Sequence, residues 1–177
     1  MKGSVTQIIL GIGGNLVPNG YETLQTGCDA AIGLLAQHNI KVLDQSRWFE
    51  TAPVPISDQP WYINAVVLAE TALTAVATLS VLHQIESQFG RTRNLRNEAR
   101  VLDIDLVDFG GMVSDDEGLI LPHPRMHERA FVLLPLRDVE PDWQHPVTRR
   151  NLGALIAALP DDQVIRPISD GVPNNIC

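Results

Sequence analysis

One stretch of the chain decides the fold, and it reads Gly90-Arg91-Thr92-Arg93-Asn94-Leu95-Arg96-Asn97-Glu98-Ala99-Arg100-Val101-Leu102-Asp103-Ile104-Asp105-Leu106-Val107. From Leu102 to Leu106 apolar and acidic side chains alternate, and an alternation of period two is typical of a β-strand. Asp103 and Asp105 are therefore predicted to project from one face of that strand, with Cα atoms about 6.5–7 Å apart.

Two carboxylates on a packed face are costly unless a cation lies between them. Mg²⁺ takes carboxylate oxygens and commonly shares the phosphates of a substrate. Four arginines precede the acidic pair and suit phosphate binding: Arg91, Arg93, Arg96 and Arg100. The pattern therefore predicts a polyphosphate site with a metal ion. The alternatives are a solvated strand face and loop arginines that pair with Glu86 or Glu98.

The composition is that of a globular protein. The 177 residues are 45% hydrophobic, carry a net charge of −8 and have a sequence pI near 4.9. We expect one catalytic domain over residues 1–177 with an irregular tail at 160–177. The acidity argues against binding to nucleic acid or to an anionic membrane, so the basic cluster indicates a small anionic ligand.

Two cysteines, Cys28 and Cys177, make a poor disulfide framework, and a reducing cytoplasm is the expected setting. The start of the chain has an apolar run too short for a secretory signal, and no run approaches the ~20 residues of a membrane span. We expect a soluble protein that acts as a monomer.

Strands and helices interleave along the chain without the regular alternation of a parallel sheet. Hydrophobic periodicity predicts strands at 7–12, 40–51, 62–71, 102–107 and 119–121, and helices at 20–37, 74–89, 128–137 and 152–159. Gly90 is placed to end the second helix. The pattern predicts an α+β layered sandwich in which helices cover a mostly antiparallel sheet.

Two further groups of residues have both a structural and a functional interpretation. Gly11-Ile12-Gly13-Gly14-Asn15 follows a strand and precedes a helix, and a turn that uses positive φ is favoured over a phosphate cradle. Tyr62, Asn64 and Phe131 could form a slot for a planar ring whose edge the amide recognises, although core packing is the default for each aromatic ring alone. His123 lies between two prolines, whose fixed backbone would hold its ring in place, although a lone histidine is usually structural or solvated.

Four segments, in this order and spacing, resemble the 6-hydroxymethyl-7,8-dihydropterin pyrophosphokinase family of folate biosynthesis, over about residues 8–141. They are Gly13-Gly14-Asn15; Thr51-Ala52-Pro53-Val54 through Asp58-Gln59-Pro60-Trp61-Tyr62-Ile63-Asn64-Ala65; Ile85-Glu86 through Gly90-Arg91-Thr92-Arg93 to Asp103-Ile104-Asp105; and Leu121-Pro122-His123-Pro124-Arg125 through Glu128-Arg129-Ala130-Phe131.

The resemblance implies a ferredoxin-like α/β sandwich that transfers pyrophosphate from MgATP to the hydroxymethyl group of the pterin and releases AMP. It implies two Mg²⁺ ions on Asp103 and Asp105, and it implies that these two aspartates are catalytic together with Arg91 and Arg100, which would grip the triphosphate. The implied pterin contacts are Thr51, Pro53, Val54, Tyr62, Asn64 and Phe131. The implied ATP contacts are Glu86, Arg91, Arg100, Ile104, His123 and Arg129.

Three positions depart from the family pattern. Asn97-Glu98-Ala99 stands where the family has a loop tryptophan, Gly14 replaces the usual serine, and Pro55 replaces a common glycine. The missing tryptophan motivates an alternative, a catalytically weakened relative that binds pterin or nucleotide. A ferredoxin-like interaction module without a ligand is a third hypothesis, and the combination of acidic pair and arginines argues against it.

Overall fold

The structure is a computed structural model that describes residues 4–53, 58–90 and 101–169. In chain order its elements are β1 (Thr6–Gly14), α1 (Leu24–Leu35), β2 (Ile40–Gln45), β3 (Phe49–Thr51), β4 (Tyr62–Thr71), α2 (Ala75–Gln88), β5 (Asp103–Phe109), β6 (Ser114–Asp116), β7 (Leu119–Leu121), α3 (Ala130–Val139), α4 (Leu152–Ile156) and β8 (Ile165–Pro167). Short 3₁₀ turns at Ala36–His38 and Met126–Glu128 follow α1 and precede α3.

Six strands form one sheet in the order β5-β1-β4-β3-β8, and β2 pairs with the same β4. All the strand pairs in the described part of the chain are antiparallel. β6 and β7 form a separate hairpin. The predicted α+β architecture with an antiparallel sheet is confirmed.

The strand predicted over 40–51 is two strands, because the chain changes its pairing at Ser46. The amide of Ser46 donates to the carbonyl of Val66, and the amide of Val66 donates to the Ser46 hydroxyl at 2.9 Å. A side-chain oxygen thus takes the place of a backbone carbonyl at this point. β2 and β3 then pair with different halves of β4.

Helices cover both faces of the sheet. Alternate residues of β1 point to opposite sides, so Ile8 and Leu10 pack with the helix residues Leu35 and Leu82, while Ile9 lies on the other side. That second side packs against α3 and α4 through a cluster of buried residues: Ile9, Val66, Leu68, Val107, Val132, Leu133, Leu136, Leu152 and Leu155. This second face also carries Asn64 of β4 and, at the β5 edge of the sheet, Asp103 and Asp105.

The helices begin and end at residues suited to those positions. α1 starts after Thr23, whose hydroxyl accepts from the amide of Thr26, so it begins four residues later than predicted. Gly90 follows α2 at φ 85° and its amide donates to the carbonyl of Ser87, as predicted for a C-terminal glycine. In the described ranges no helix combines the length and the apolar character needed to cross a bilayer.

The segment after Pro160 differs from the irregular tail that the sequence suggested. Ile165–Pro167 forms β8 and pairs in antiparallel fashion with β3. The prediction was wrong here because a three-residue edge strand has no periodicity to detect, and it depends on a partner more than 110 positions earlier in the chain. Residues 170–177 lie outside the described residues.

Candidate active site

Asp103 and Asp105 lie on one face of β5, as the alternation predicted. Both are half-buried, whereas the intervening Ile104 is 2% exposed and Leu106 is 5% exposed on the opposite face. Across the sheet Asp103 pairs with Gly13 and Asp105 with Gly11. The two aspartates are thus each flanked by a glycine of β1.

Glu86 of α2 is almost fully buried and supports this strand from outside the sheet. Its Oε1 accepts the amide hydrogen of Ile104 at 2.8 Å. Among the described strands β5 is the last on its side of the sheet, so this amide has no strand of that part of the chain to bind on its outer edge. The carboxylate therefore fixes the backbone between the two aspartates.

A cavity of about 260 Å³ opens beside the acidic pair, between α2, β5 and β7. Its lining residues are Leu79, His83, Glu86, Asp103, Ile104, Asp105, Leu106, Gly118, Leu119, Ile120, Leu121 and His123. Five of the predicted residues thus meet at one cavity: Glu86, Asp103, Ile104, Asp105 and His123. His83 was missed, although its spacing of three from Glu86 places both on one helix face.

His123 is neutral near pH 7. Burial, followed by the positive charges of Arg129 and Arg125, lowers its pKa to about 4. Its backbone amide donates to the carbonyl of Val107, which ties the loop to β5, and its Nδ1 accepts the amide hydrogen of Arg125 at 3.2 Å. The neutral ring therefore carries its hydrogen on Nε2, where it can donate to an oxygen in the cavity.

Arg129, just before α3, connects the acidic strand to the helix. Its Nη1 lies 3.6 Å from Oδ2 of Asp105, and its guanidinium carbon lies 5.3 Å from the centre of the Phe131 ring. The guanidinium is only partly exposed. The Arg129 side chain thus lies against Asp105, a predicted metal ligand, and against Phe131, a predicted pterin-binding residue.

The predicted pterin side lies on β3 and β4. Asn64 and Thr51 are both buried polar residues, 8% and 7% exposed, and the Asn64 amide nitrogen donates to the Thr51 hydroxyl at 2.9 Å. Asn64 pairs with Gly13 across β1 and β4. A Cβ at Gly13 would lie 2.5 Å from Oδ1 of Asn64, so this glycine is required by a close approach.

The glycine segment differs from the turn expected from the sequence. Gly11, Gly13 and Gly14 are all part of β1, and none of them has a positive φ. Only the close packing against β4 explains Gly13. The need for glycine at this position could not be read from the sequence, because Asn64 is 51 positions away.

A small hydrogen-bond network joins the start of β4 to the end of β1. The amide nitrogen of Asn15 donates to Oε1 of Gln59 at 3.3 Å and to the carbonyl of Pro60 at 3.2 Å, and the Tyr62 hydroxyl donates to the same Gln59 oxygen at 3.3 Å. Tyr62 shares its sheet face with Asn64, because the two are two positions apart on β4. Asn15 and Gln59 were not predicted as site residues.

Of the remaining predicted residues, two are described by their position and burial, and the others lie outside the described residues. Pro53 is buried beside β3, and Phe131 is half-buried in the first turn of α3. Val54, Arg91 and Arg100 lie outside the described residues, as do Arg93 and Arg96.

The acidic pair suits a hard cation that keeps other ligands. Both aspartates line the cavity, and oxygen donors such as carboxylates are what Mg²⁺ prefers. Within residues 4–53, 58–90 and 101–169, no group of three or more His, Cys, Asp or Glu side chains is arranged to hold a metal ion. A metal on Asp103 and Asp105 would therefore need water or phosphate oxygens to complete its coordination.

Similar proteins were found by sequence and by structure. Relatives named 2-amino-4-hydroxy-6-hydroxymethyldihydropteridine pyrophosphokinase include one from Methylorubrum extorquens, 38% identical over 138 residues that cover 78% of this chain and 85% of that protein. A second, from Pseudomonas aeruginosa, is 35% identical over 92% of this chain and 97% of that protein. The "Folic acid synthesis protein fol1" of Pneumocystis carinii is 37% identical over 78% of this chain, which spans only 18% of that protein.

Solved structures support the fold. Wild-type HPPK-DHPS of Plasmodium falciparum superposes with a TM-score of 0.68 at 14% identity, over 88% of this chain and 41% of that one. At this identity the likeness concerns the fold alone. The model of the family "7,8-dihydro-6-hydroxymethylpterin-pyrophosphokinase (HPPK)" matches residues 9–141. Because this match covers most of the chain and relatives of similar length are more than 30% identical, the chain belongs to the HPPK family.

Proposed function

We propose that the protein transfers pyrophosphate from MgATP to 6-hydroxymethyl-7,8-dihydropterin and releases AMP, as a step of folate biosynthesis. Family membership supports this activity. The further proposals are that it acts as a single catalytic domain and a monomer in the cytoplasm, with small molecules as its substrates. The net charge of −8 supports the exclusion of nucleic acid.

One observation carries the proposal, namely the position of Gly13 between Asn64 and Asp103. Gly13 of β1 pairs with Asn64 on one side and with Asp103 on the other. Neighbouring strands lie about 4.8 Å apart, so these two residues are roughly 10 Å apart on one face of the sheet. That distance suits a site that holds a pterin ring at one end and a metal-bound phosphate at the other.

In the proposed reaction the hydroxymethyl oxygen attacks the β-phosphorus of ATP. A new bond forms between this oxygen and the β-phosphorus, and the bond from the β-phosphorus to the oxygen it shares with the α-phosphorus breaks. AMP leaves, and the hydroxyl proton is lost to solvent or to a carboxylate. Mg²⁺ would neutralise the charge that develops on the phosphate oxygens.

The residues of the chain would supply alignment and charge neutralisation. Asp103 and Asp105 would hold the two metal ions, and His123 would donate its Nε2 hydrogen to a phosphate oxygen. Asn64 would recognise the edge of the pterin while its own amide is held by Thr51. Contacts to the pterin are also proposed for Pro53, Val54, Tyr62 and Phe131, and contacts to ATP for Glu86, Ile104, Arg129, Arg91 and Arg100.

The test is incubation of the protein with MgATP and 6-hydroxymethyl-7,8-dihydropterin, followed by chromatographic separation of the nucleotides and pterins. We expect AMP and the pterin diphosphate in equal amounts. The control is 6-methyl-7,8-dihydropterin, which lacks the accepting hydroxyl and should give no AMP. ADP as the product would contradict the proposal, and tight pterin binding without any product would favour the weakened relative instead.

A further inference from the structure

Gln163 lies outside the matched residues 9–141, in the segment before β8, and its side chain contacts the main chain on both sides of Arg129. Oε1 of Gln163 accepts the amide hydrogen of Ala130 at 2.8 Å. Its Nε2 donates to the carbonyl of Glu128, also at 2.8 Å. The side-chain amide of Gln163 thus accepts through its oxygen and donates through its nitrogen. Rotating this amide by 180° would exchange the two atoms and break both hydrogen bonds.

The contact with Ala130 replaces a helix cap. α3 begins after Arg129, which makes no side-chain capping bond, and the first amides of a helix have no partner within it. Ala130 is the first residue of this helix, and the carbonyl of Arg129 accepts from Val132 and Leu133. Gln163 therefore satisfies an unpaired amide at the start of α3 from 33 positions away.

The residues that this contact holds belong to the candidate site. Arg129 has an extended backbone at φ −115° and ψ 109°, and its side chain reaches both Asp105 and the Phe131 ring. A change in the backbone at Arg129 would move its guanidinium away from Asp105. It would also turn Phe131, which lies in the first turn of the same helix.

The segment that carries Gln163 is itself anchored to the pterin side. The amide of Ala52 donates to the carbonyl of Val164, and β8 pairs with β3, the strand that carries Thr51. The Arg166 guanidinium lies 4.9 Å from the centre of the Trp61 ring and forms an ion pair with Glu50. This segment therefore connects β3 to the start of α3.

We propose that Gln163 is a positioning residue, which sets Arg129 and Phe131 relative to Asp105 by holding the backbone between Glu128 and Ala130. The role rests on the proposed pyrophosphokinase activity, because its consequence is measured on MgATP and pterin. The ordinary alternative is a surface glutamine whose hydrogen bonds contribute only to stability.

The experiment compares Gln163→Ala and Gln163→Glu with the wild type and with Gln37→Ala, an exposed glutamine on the 3₁₀ turn after α1. Gln163→Ala removes both hydrogen bonds. Gln163→Glu keeps an acceptor for Ala130 but cannot donate to Glu128 when ionised, and it provides a folded variant if the alanine variant is unstable. The measurements are backbone hydrogen exchange at Ala130, the KM for MgATP, the KM for the pterin, and kcat corrected for the folded fraction.

For Gln163→Ala we expect exchange at Ala130 to rise about tenfold, the factor for one lost hydrogen bond. We expect the KM for MgATP to rise, and kcat/KM to fall roughly 10- to 100-fold, as for a misplaced substrate contact. Gln163→Glu should keep slow exchange at Ala130 and lose less kcat/KM, and Gln37→Ala should match the wild type.

A purely structural role predicts a different result, in which kcat falls only with the folded fraction and both KM values stay unchanged. That outcome, or wild-type kinetics in Gln163→Ala, would overturn the inference while the wild type still makes AMP. If the wild type makes no AMP, the proposed function fails instead. The exchange rate at Ala130 tests the backbone contact independently of either result.

Discussion

Gly13 contributes to the site because it has no side chain. Its neighbours across the sheet are Asn64 and Asp103, and a Cβ at this position would meet Oδ1 of Asn64 at 2.5 Å and the carbonyl of Ile63 at 3.0 Å. The Asn64 amide is also held by Thr51. The orientation of Asn64 therefore depends on its hydrogen bond to the Thr51 hydroxyl and on the missing side chain of Gly13.

We predict that Gly13→Ala weakens binding of the pterin about tenfold or more, because Asn64 must rotate away from its hydrogen bond. Isothermal titration calorimetry with the pterin would measure the change. Gly11→Ala is the matched control on the same strand, since its Cβ would lie 3.5 Å from Val107 in ordinary contact. Equal affinities of the two variants would show that the space beside Asn64 has no role in binding.

The acidic pair gives a second prediction at this scale. Asp103→Asn should lower kcat about 10³-fold and leave the dissociation constant of the pterin within a few-fold, because the neutral amide would hold Mg²⁺ more weakly and Mg²⁺ would neutralise the phosphate charge in the transition state. Steady-state kinetics and a separate pterin titration distinguish the two effects. Asp115→Asn, at an exposed position in β6, is the control. Near-normal turnover in Asp103→Asn would remove the metal-binding role.

At the scale of single elements, α1 shows that tertiary contacts can give the same residue type different roles within one helix. The helix contains two glycines with different surroundings. Gly33 is exposed, and a Cβ there would meet nothing within 4 Å, whereas a Cβ at Gly27 would collide with the ring of Pro18. The sequence alone does not distinguish these two positions.

We predict that Gly33→Ala raises the free energy of unfolding by about 0.5–1 kcal/mol, because alanine loses less backbone entropy on folding. Gly27→Ala should lower it, since the Pro18 ring must move to accommodate the new methyl group. Urea unfolding followed by circular dichroism would give both values. Destabilisation by Gly33→Ala would contradict the prediction.

At the scale of the whole molecule, the burial of His123 couples the candidate site to global stability. The pKa of His123 is lowered to about 4, chiefly by burial, from an ordinary value of 6.5. Above pH 6.5 the ring is neutral in both the folded and the unfolded chain. As the pH falls from 6.5 towards 4, the unfolded chain binds the proton first, so folding stability is lost in this window.

We therefore predict that His123→Gln reduces the loss of unfolding free energy between pH 6.5 and pH 4. The variant has no ring to protonate, whereas the wild type must bury a neutral imidazole. Urea titrations of both proteins at half-unit pH steps, without nucleotide and with EDTA, would measure the difference. If the unfolding free energies of the two proteins fall in parallel between pH 6.5 and pH 4, the lowered pKa of His123 is contradicted.

The elements that build the site follow closely from local sequence patterns. The period of two around Asp103 and Asp105 correctly placed both carboxylates on one face of β5, and apolar spacing located α1 and α2 to within four residues. These patterns are informative because the side-chain period reports which face of an element is buried. The proposed roles of Arg91 and Arg100 stay predictions from the resemblance.

The tertiary structure decided what depends on distant neighbours. Asn64 explains Gly13, Val66 explains the break at Ser46, and the start of α3 gives Gln163 its partners. In each case the interacting groups are 20 to 51 positions apart, so no local window contains both. The sequence by itself thus determined most of the helices and longer strands, the buried face of β5 and the family resemblance. Only the fold determined how close these faces come, because packing distances arise after the chain brings remote strands together.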